Sequence, residues 1–139
     1  MNRAIEKMIN HLVRKPGTLF LIDSIGAMLT TLLLFFVLRN FNGYFGMPKT
    51  ALTYLSAIAA CFCVYSAICF LFLKENWMPF IKIISVANLL YCLLTAGLLI
   101  NYYKQLTGLG LTYFWVEIII ICGLVFIERS VANKIEKQN

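Results

Sequence analysis

Charge is scarce in this chain. Asp, Glu, Lys and Arg together make up 13% of its 139 residues, where an ordinary soluble domain carries about a quarter. Histidine occurs once, at His11, and proline three times. One histidine and no Cys-x-x-Cys pair leave no ligand set for a zinc-type metal site. There is no Gly-x-Ser-x-Gly elbow to present a nucleophile and no glycine-rich loop to cradle a phosphate. No residue is therefore assigned a catalytic, cofactor-binding or metal-binding role, and no cofactor is expected. An enzyme built on this sequence would have only Asp23, Glu117 and tyrosines to work with.

Apolar residues are what the chain has in abundance, at 61% of the total and with a mean hydropathy of +0.83. Crossing a hydrocarbon core takes roughly 20 apolar residues as a helix. Four windows of that size occur: Thr18 to Leu38, Thr50 to Leu73, Met78 to Ile100 and Leu109 to Ile127. A closed barrel is excluded because its strands alternate apolar and polar residues, whereas "LLLFFVL" and "EIIIICGLVF" are apolar on every side. A cleaved leader is not expected at the first window, whose apolar run is too long and is followed by no small-residue cleavage site. The connections "NFNGYFGMPK" and "KENWMP" are short, which predicts an all-α, antiparallel four-helix bundle integral to a membrane. Asn76 is placed to cap the third span and Pro79 to occupy its first turn.

Three segments follow. Residues 1–17 form a short amphipathic interfacial segment, in which Ile5, Met8, Ile9, Leu12 and Val13 fall on one helical face and charged residues with His11 on the other. Residues 18–131 form the bundle, and residues 132–139 a polar cytoplasmic tail. Basic residues orient the whole. Arg3, Lys7, Arg14, Lys15, Lys74, Lys82, Arg129, Lys134 and Lys137 fall on one side, against Arg39, Lys49 and Lys104 on the other. The richer side is cytoplasmic, which places both termini there. The net charge of +6 is thus explained by the bilayer, and no nucleic acid is implied.

Five cysteines, Cys61, Cys63, Cys69, Cys92 and Cys122, all lie within spans and read as small packing residues. A small-residue face is visible at Ser56, Ala60, Cys63 and Ala67 on the second span, with Gly26 and Thr30 on the first. The residues that cost free energy to bury are fewer. Asp23 and Lys82 lie at similar depths in spans one and three and are expected to form a structural ion pair, with Glu128 and Arg129 near enough to join it. Glu117 sits about 12 Å below the outer boundary at 1.5 Å per residue, beyond the reach of the boundary cations Arg39 and Lys104. Its stripe includes Tyr113, Leu124 and Glu128, so that stripe faces protein. On the third span, Asn88, Tyr91 and Thr95 form a polar face, with Tyr91 near the level of Glu117. Glu117, Tyr91, Asn88 and Thr95 are the candidate intramembrane polar site.

These features point to a non-catalytic membrane protein that is an accessory to an assembly or binds a partner or lipid. Its partners would be the bilayer itself and either a second copy or another membrane protein. The alternative is one subunit of a small homo-oligomeric transporter or channel that uses Glu117. Small four-span multidrug exporters carry their essential glutamate in the first span, where this chain has Asp23. Taken in order, "FLIDSIGA", "FGMPK", "KENWMPF", "NLLYCL" and "YFWVEIIII" give a chain that resembles small four-span proteins of bacterial inner membranes. That resemblance implies a fold and a compartment, and brings no activity with it.

Overall fold

Hydrophobic runs this long can satisfy their own backbone only by coiling, and the computed structural model, which describes residues 3–138, is helical nearly throughout. Helix α1 spans Arg3–Arg14, α2 Pro16–Leu38, α3 Asn42–Phe45, α4 Lys49–Phe72, α5 Trp77–Asn101 and α6 Gly108–Gln138. No strand occurs among the described residues. Of these helices α2, α4, α5 and α6 are long and apolar enough to cross a membrane, the feature of a multi-pass membrane protein. Met1, Asn2 and Asn139, which belong to the expected terminal segments, lie outside the described residues.

Local chemistry sets the helix ends. Pro16 occupies the first turn of α2, where its missing N–H is no loss. The last stretch of α2, Leu33–Leu38, is wound as a π-helix, with the Arg39 N–H reaching back five residues to the Leu34 carbonyl at 3.0 Å. Leu34 and Leu38 within it are both buried. Helix α3 stops at Gly46, whose φ of +86° suits glycine, and whose N–H closes onto the Asn42 carbonyl at 2.7 Å. Thr107 caps α6: its Oγ1 accepts the Gly110 N–H at 3.1 Å, while its own hydroxyl donates to the Tyr44 carbonyl. Asn76 does sit at the start of α5, but in the left-handed conformation at φ 57° and without a side-chain capping bond.

Helix α6 differs from the sequence expectation. The span expected to end near Ile127, the close of the bundle at residue 131 and the polar segment 132–139 all fall on one helix, which continues to Gln138. The reason is that "ERSVANKIEKQ" contains neither proline nor glycine and keeps an apolar stripe at Val131, Ala132 and Ile135. Val131 and Ala132 are buried with Ile9 and Leu12 of α1, and Ile135 packs against the same cluster. Lys134 Nζ donates to Asn10 Oδ1 at 2.8 Å on the flank of that contact. The apolar side of α1 is thus covered by α6, with Met8 left largely exposed.

Helix α2 packs along α4, and α5 along α6, with slighter contact between α2 and α6. Two apolar clusters hold these pairs together. One contains Leu34, Leu38, Met47, Leu52, Leu55, Leu99 and Phe114. The other contains Ile9, Leu12, Leu19, Phe20, Cys69, Ile81 and Val131. The first is locked by a close approach at Gly110, where a Cβ would run into the Phe45 carbonyl. Gly123, on the same helix, has nothing within 4 Å of the corresponding position. Gly110→Ala is therefore expected to destabilise the protein by about 1 to 3 kcal/mol through overpacking, while Gly123→Ala raises stability by about 0.5 to 1 kcal/mol through helix propensity. Thermal unfolding of the two variants in a mild detergent checks the opposite signs.

Candidate functional site

Between the two apolar clusters lies a layer of polar side chains to which each long helix contributes one residue: Asp23 from α2, Ser66 from α4, Asn88 from α5 and Glu128 from α6. All four are buried, Ser66 and Glu128 completely. The Ser66 hydroxyl donates to Asp23 Oδ2. Asn88 Nδ2 donates to Asp23 Oδ1 at 3.0 Å and to Glu128 Oε1 at 3.1 Å. An amide nitrogen has two hydrogens, and here each is given to a different carboxyl group. Asn88 thereby joins the α2/α4 pair to the α5/α6 pair.

No Lys or Arg is hydrogen-bonded to either carboxyl group among the described residues. The expected ion pair between Asp23 and Lys82 is not formed. Lys82 Nζ instead meets Glu136 Oε2 at 3.3 Å, both side chains being about half exposed. Helical phase explains this: Lys82 precedes Asn88 by six residues, which turns it about 120° away from the buried face of α5. Depth had matched Asp23 to the right level but not to the right neighbour. Ser66 was not foreseen as a partner. It lies on the buried stripe of α4 that runs through Leu52, Leu55, Ser56, Ala59 and Cys69, one step of rotation from the small-residue face read from the sequence.

A second polar contact lies further along α5 and α6. The Tyr91 hydroxyl donates to Glu117 Oε1 at 2.9 Å, so these two candidate residues are brought together. Asn88 and Thr95 flank Tyr91 on the same buried face, but Asn88 turns to the four-helix layer, while Thr95 stays beside Tyr91 one turn on. Glu117 is only 7% exposed, yet its second oxygen, Oε2, is buried without a hydrogen bond among the described residues. An orphaned buried carboxyl oxygen costs free energy unless something supplies a partner. Cys92 Sγ and Cys122 Sγ, also between α5 and α6, are 3.8 Å apart in a weak S–H contact and form no disulfide. No three His, Cys, Asp or Glu side chains converge as a metal centre requires among the described residues.

Glu117 also borders open space. Slight contact between α2 and α6 leaves a groove of about 230 Å³ between them, walled by Leu33, Tyr113, Glu117 and Ile121 and floored by Gly26 and Thr30. A smaller cavity of about 80 Å³ adjoins it, reaching Asp23 and Tyr91 and sharing Gly26 and Thr30. One carboxyl group of each polar contact thus borders a connected apolar passage. The small face expected on α2 at Gly26 and Thr30 is present, but it borders this passage and is not pressed against a helix; Gly26 has nothing within 4 Å of where a Cβ would be.

Comparison with protein-family models, with curated proteins and with solved structures finds no match to this chain. The geometry alone therefore carries the functional reading. If Glu117 is held by hydrogen bonds and not by a cation, Glu117→Gln keeps the shape and the bond from Tyr91, and stability should change by less than about 0.5 kcal/mol. Glu117→Leu leaves the tyrosine hydroxyl unpartnered and should cost about 1 to 2 kcal/mol. Thermal unfolding in detergent separates the two; equal damage from Gln and Leu would mean a charged, paired glutamate, with Arg39 the first partner to examine.

Proposed function

We propose that this chain is a multi-pass protein of a bacterial inner membrane, with its four long helices running up and down across the bilayer and both termini in the cytoplasm. The order of the apolar clusters supports alternate directions: along α2 and α5 the chain passes from one cluster through the polar layer to the other, and along α4 and α6 it passes back. The distribution of Lys and Arg supports the orientation. In this arrangement the exposed apolar side chains of all four long helices are the lipid-facing surface.

Its function is to bind a lipid-soluble molecule laterally, without catalysing a reaction on it. The observation that carries this reading is the α2–α6 groove with Glu117 Oε2 unpartnered at its wall. Such a groove opens toward the acyl chains, so its occupant enters from the bilayer. Apolar walls at Leu33 and Ile121 fit an apolar body, and Glu117 with Tyr113 fits one polar function on it. Ionisable groups within a bilayer are costly, and one that lines a cavity is more readily explained by a ligand than by packing.

Purification in a mild detergent, followed by organic extraction and mass measurement, tests the reading. Wild-type protein should retain a lipid-soluble molecule. Gly26→Leu, which projects a side chain into the groove without a clash on the helix, should reduce the retained amount severalfold while thermal stability holds. Equal retention by the variant, or an empty wild-type protein, would defeat the reading. A stable dimer with proton-dependent ligand binding would favour the transporter alternative instead.

A further inference from the structure

Two cations on the flank of α5 and α6 take no part in the groove or in the polar layer. Lys82 and Ser85 lie one turn apart on α5, and Arg129 and Asn133 one turn apart on α6. These four side chains line a pocket of about 240 Å³, with Val86 and Ala132 completing its wall. Ser85 is 1% exposed, and its hydroxyl has no hydrogen-bond partner among the described residues. A serine within a helix can donate its proton to a carbonyl one turn back or turn to solvent, and the buried Ser85 does neither. An orphaned hydroxyl bordering a pocket is a donor awaiting an acceptor.

The donors here are all of one kind of use. An ammonium, a guanidinium, a hydroxyl and an amide present N–H and O–H groups to one small space, which is the chemistry of an oxyanion with several acceptor oxygens. The acidic competitor is Glu136, bonded to Lys82 at 3.3 Å with side chains 47% and 56% exposed. A pair that open to solvent is weak and easily exchanged. Glu128, next to Arg129 in sequence, faces the interior and is occupied by Asn88.

We infer that this pocket binds the phosphate of an anionic phospholipid headgroup. Lipid is favoured over free phosphate by what lies beside the cations. Val86, in the pocket wall, continues at helical spacing into Leu90 and Leu93, which are 48%, 60% and 61% exposed, an apolar strip along which an acyl chain can lie. The pocket also falls on the side where basic residues concentrate, the side on which anionic lipids gather. This inference rests on the membrane-spanning arrangement proposed above, and is independent of the α2–α6 groove.

The test uses the full chain in mild detergent, with phosphatidylglycerol, phosphatidylcholine and inorganic phosphate as separate probes, read by native mass spectrometry and thermal unfolding. Phosphatidylglycerol should bind and raise the melting temperature more than phosphatidylcholine does. Lys82→Gln with Arg129→Gln should weaken that binding about tenfold or more, the loss expected of charge-assisted bonds. Ser85→Ala should weaken it severalfold, and carries the test alone if the double variant fails to fold. Lys74→Gln with Lys137→Gln, exposed cations outside the pocket, should leave it within about twofold. Equal losses in the two double variants, or no loss from Ser85→Ala, would overturn the site. Full stabilisation by inorganic phosphate alone would overturn the lipid as its source. A chain that stays in the aqueous fraction without detergent would overturn the membrane arrangement before any lipid is added.

Discussion

One amide group ties this molecule together. Asn88 gives one hydrogen to Asp23 and the other to Glu128, and Ser66 completes the layer, so that every long helix has a polar side chain at the same level. In water such bonds would contribute little. In the bilayer arrangement proposed above, the helices gain almost nothing from pressing leucine against leucine, and a buried carboxyl group without partners is costly. The layer therefore fixes which helices meet and at what register, because sliding any one of them by a turn would leave at least one of these groups unpartnered. Two carboxyl groups share this one amide, and no Lys or Arg is hydrogen-bonded to either among the described residues.

The groove follows from the same pairing. With α2 seated on α4 and α5 on α6, the polar layer bridges the pairs at its own level, and small residues at Gly26 and Thr30 leave the α2–α6 side unfilled. Larger residues there would close the passage and bury Glu117 against leucine. The molecule instead keeps Glu117 at the edge of space, held by Tyr91 through one oxygen and free at the other. Structure and proposed function meet at that oxygen: the polar contact positions the carboxyl group, and the gap gives a ligand access to it.

Much of this was legible in the sequence because length and hydropathy are strong signals. Four apolar windows announced four long helices, and the shared stripe of Glu117 and Glu128 announced that one face of α6 looks inward. The tyrosine partner of Glu117 followed from matching depth and face together. Where only one of those coordinates was used, the reading failed. Asp23 and Lys82 matched in depth and opposite charge, but rotation of Lys82 off the buried face of α5 sent it to Glu136. Ser66 escaped notice because a lone serine among apolar residues gives no signal until its rotation about α4 is known. The extension of α6 was masked by its charges, which lie on the outer side of a stripe that continues inward through Val131, Ala132 and Ile135.

The two helix pairs are coupled through the Asp23–Asn88 contact, and a double-mutant cycle measures that coupling directly. Asp23→Val, Asn88→Leu and the double variant would be compared with wild type by equilibrium unfolding in detergent. A shared buried contact predicts an interaction free energy of about 1 kcal/mol or more, with the double variant less damaged than the sum of the singles. Costs that add to within about 0.3 kcal/mol would contradict it, and would mean that these residues are buried side by side without holding the helices together.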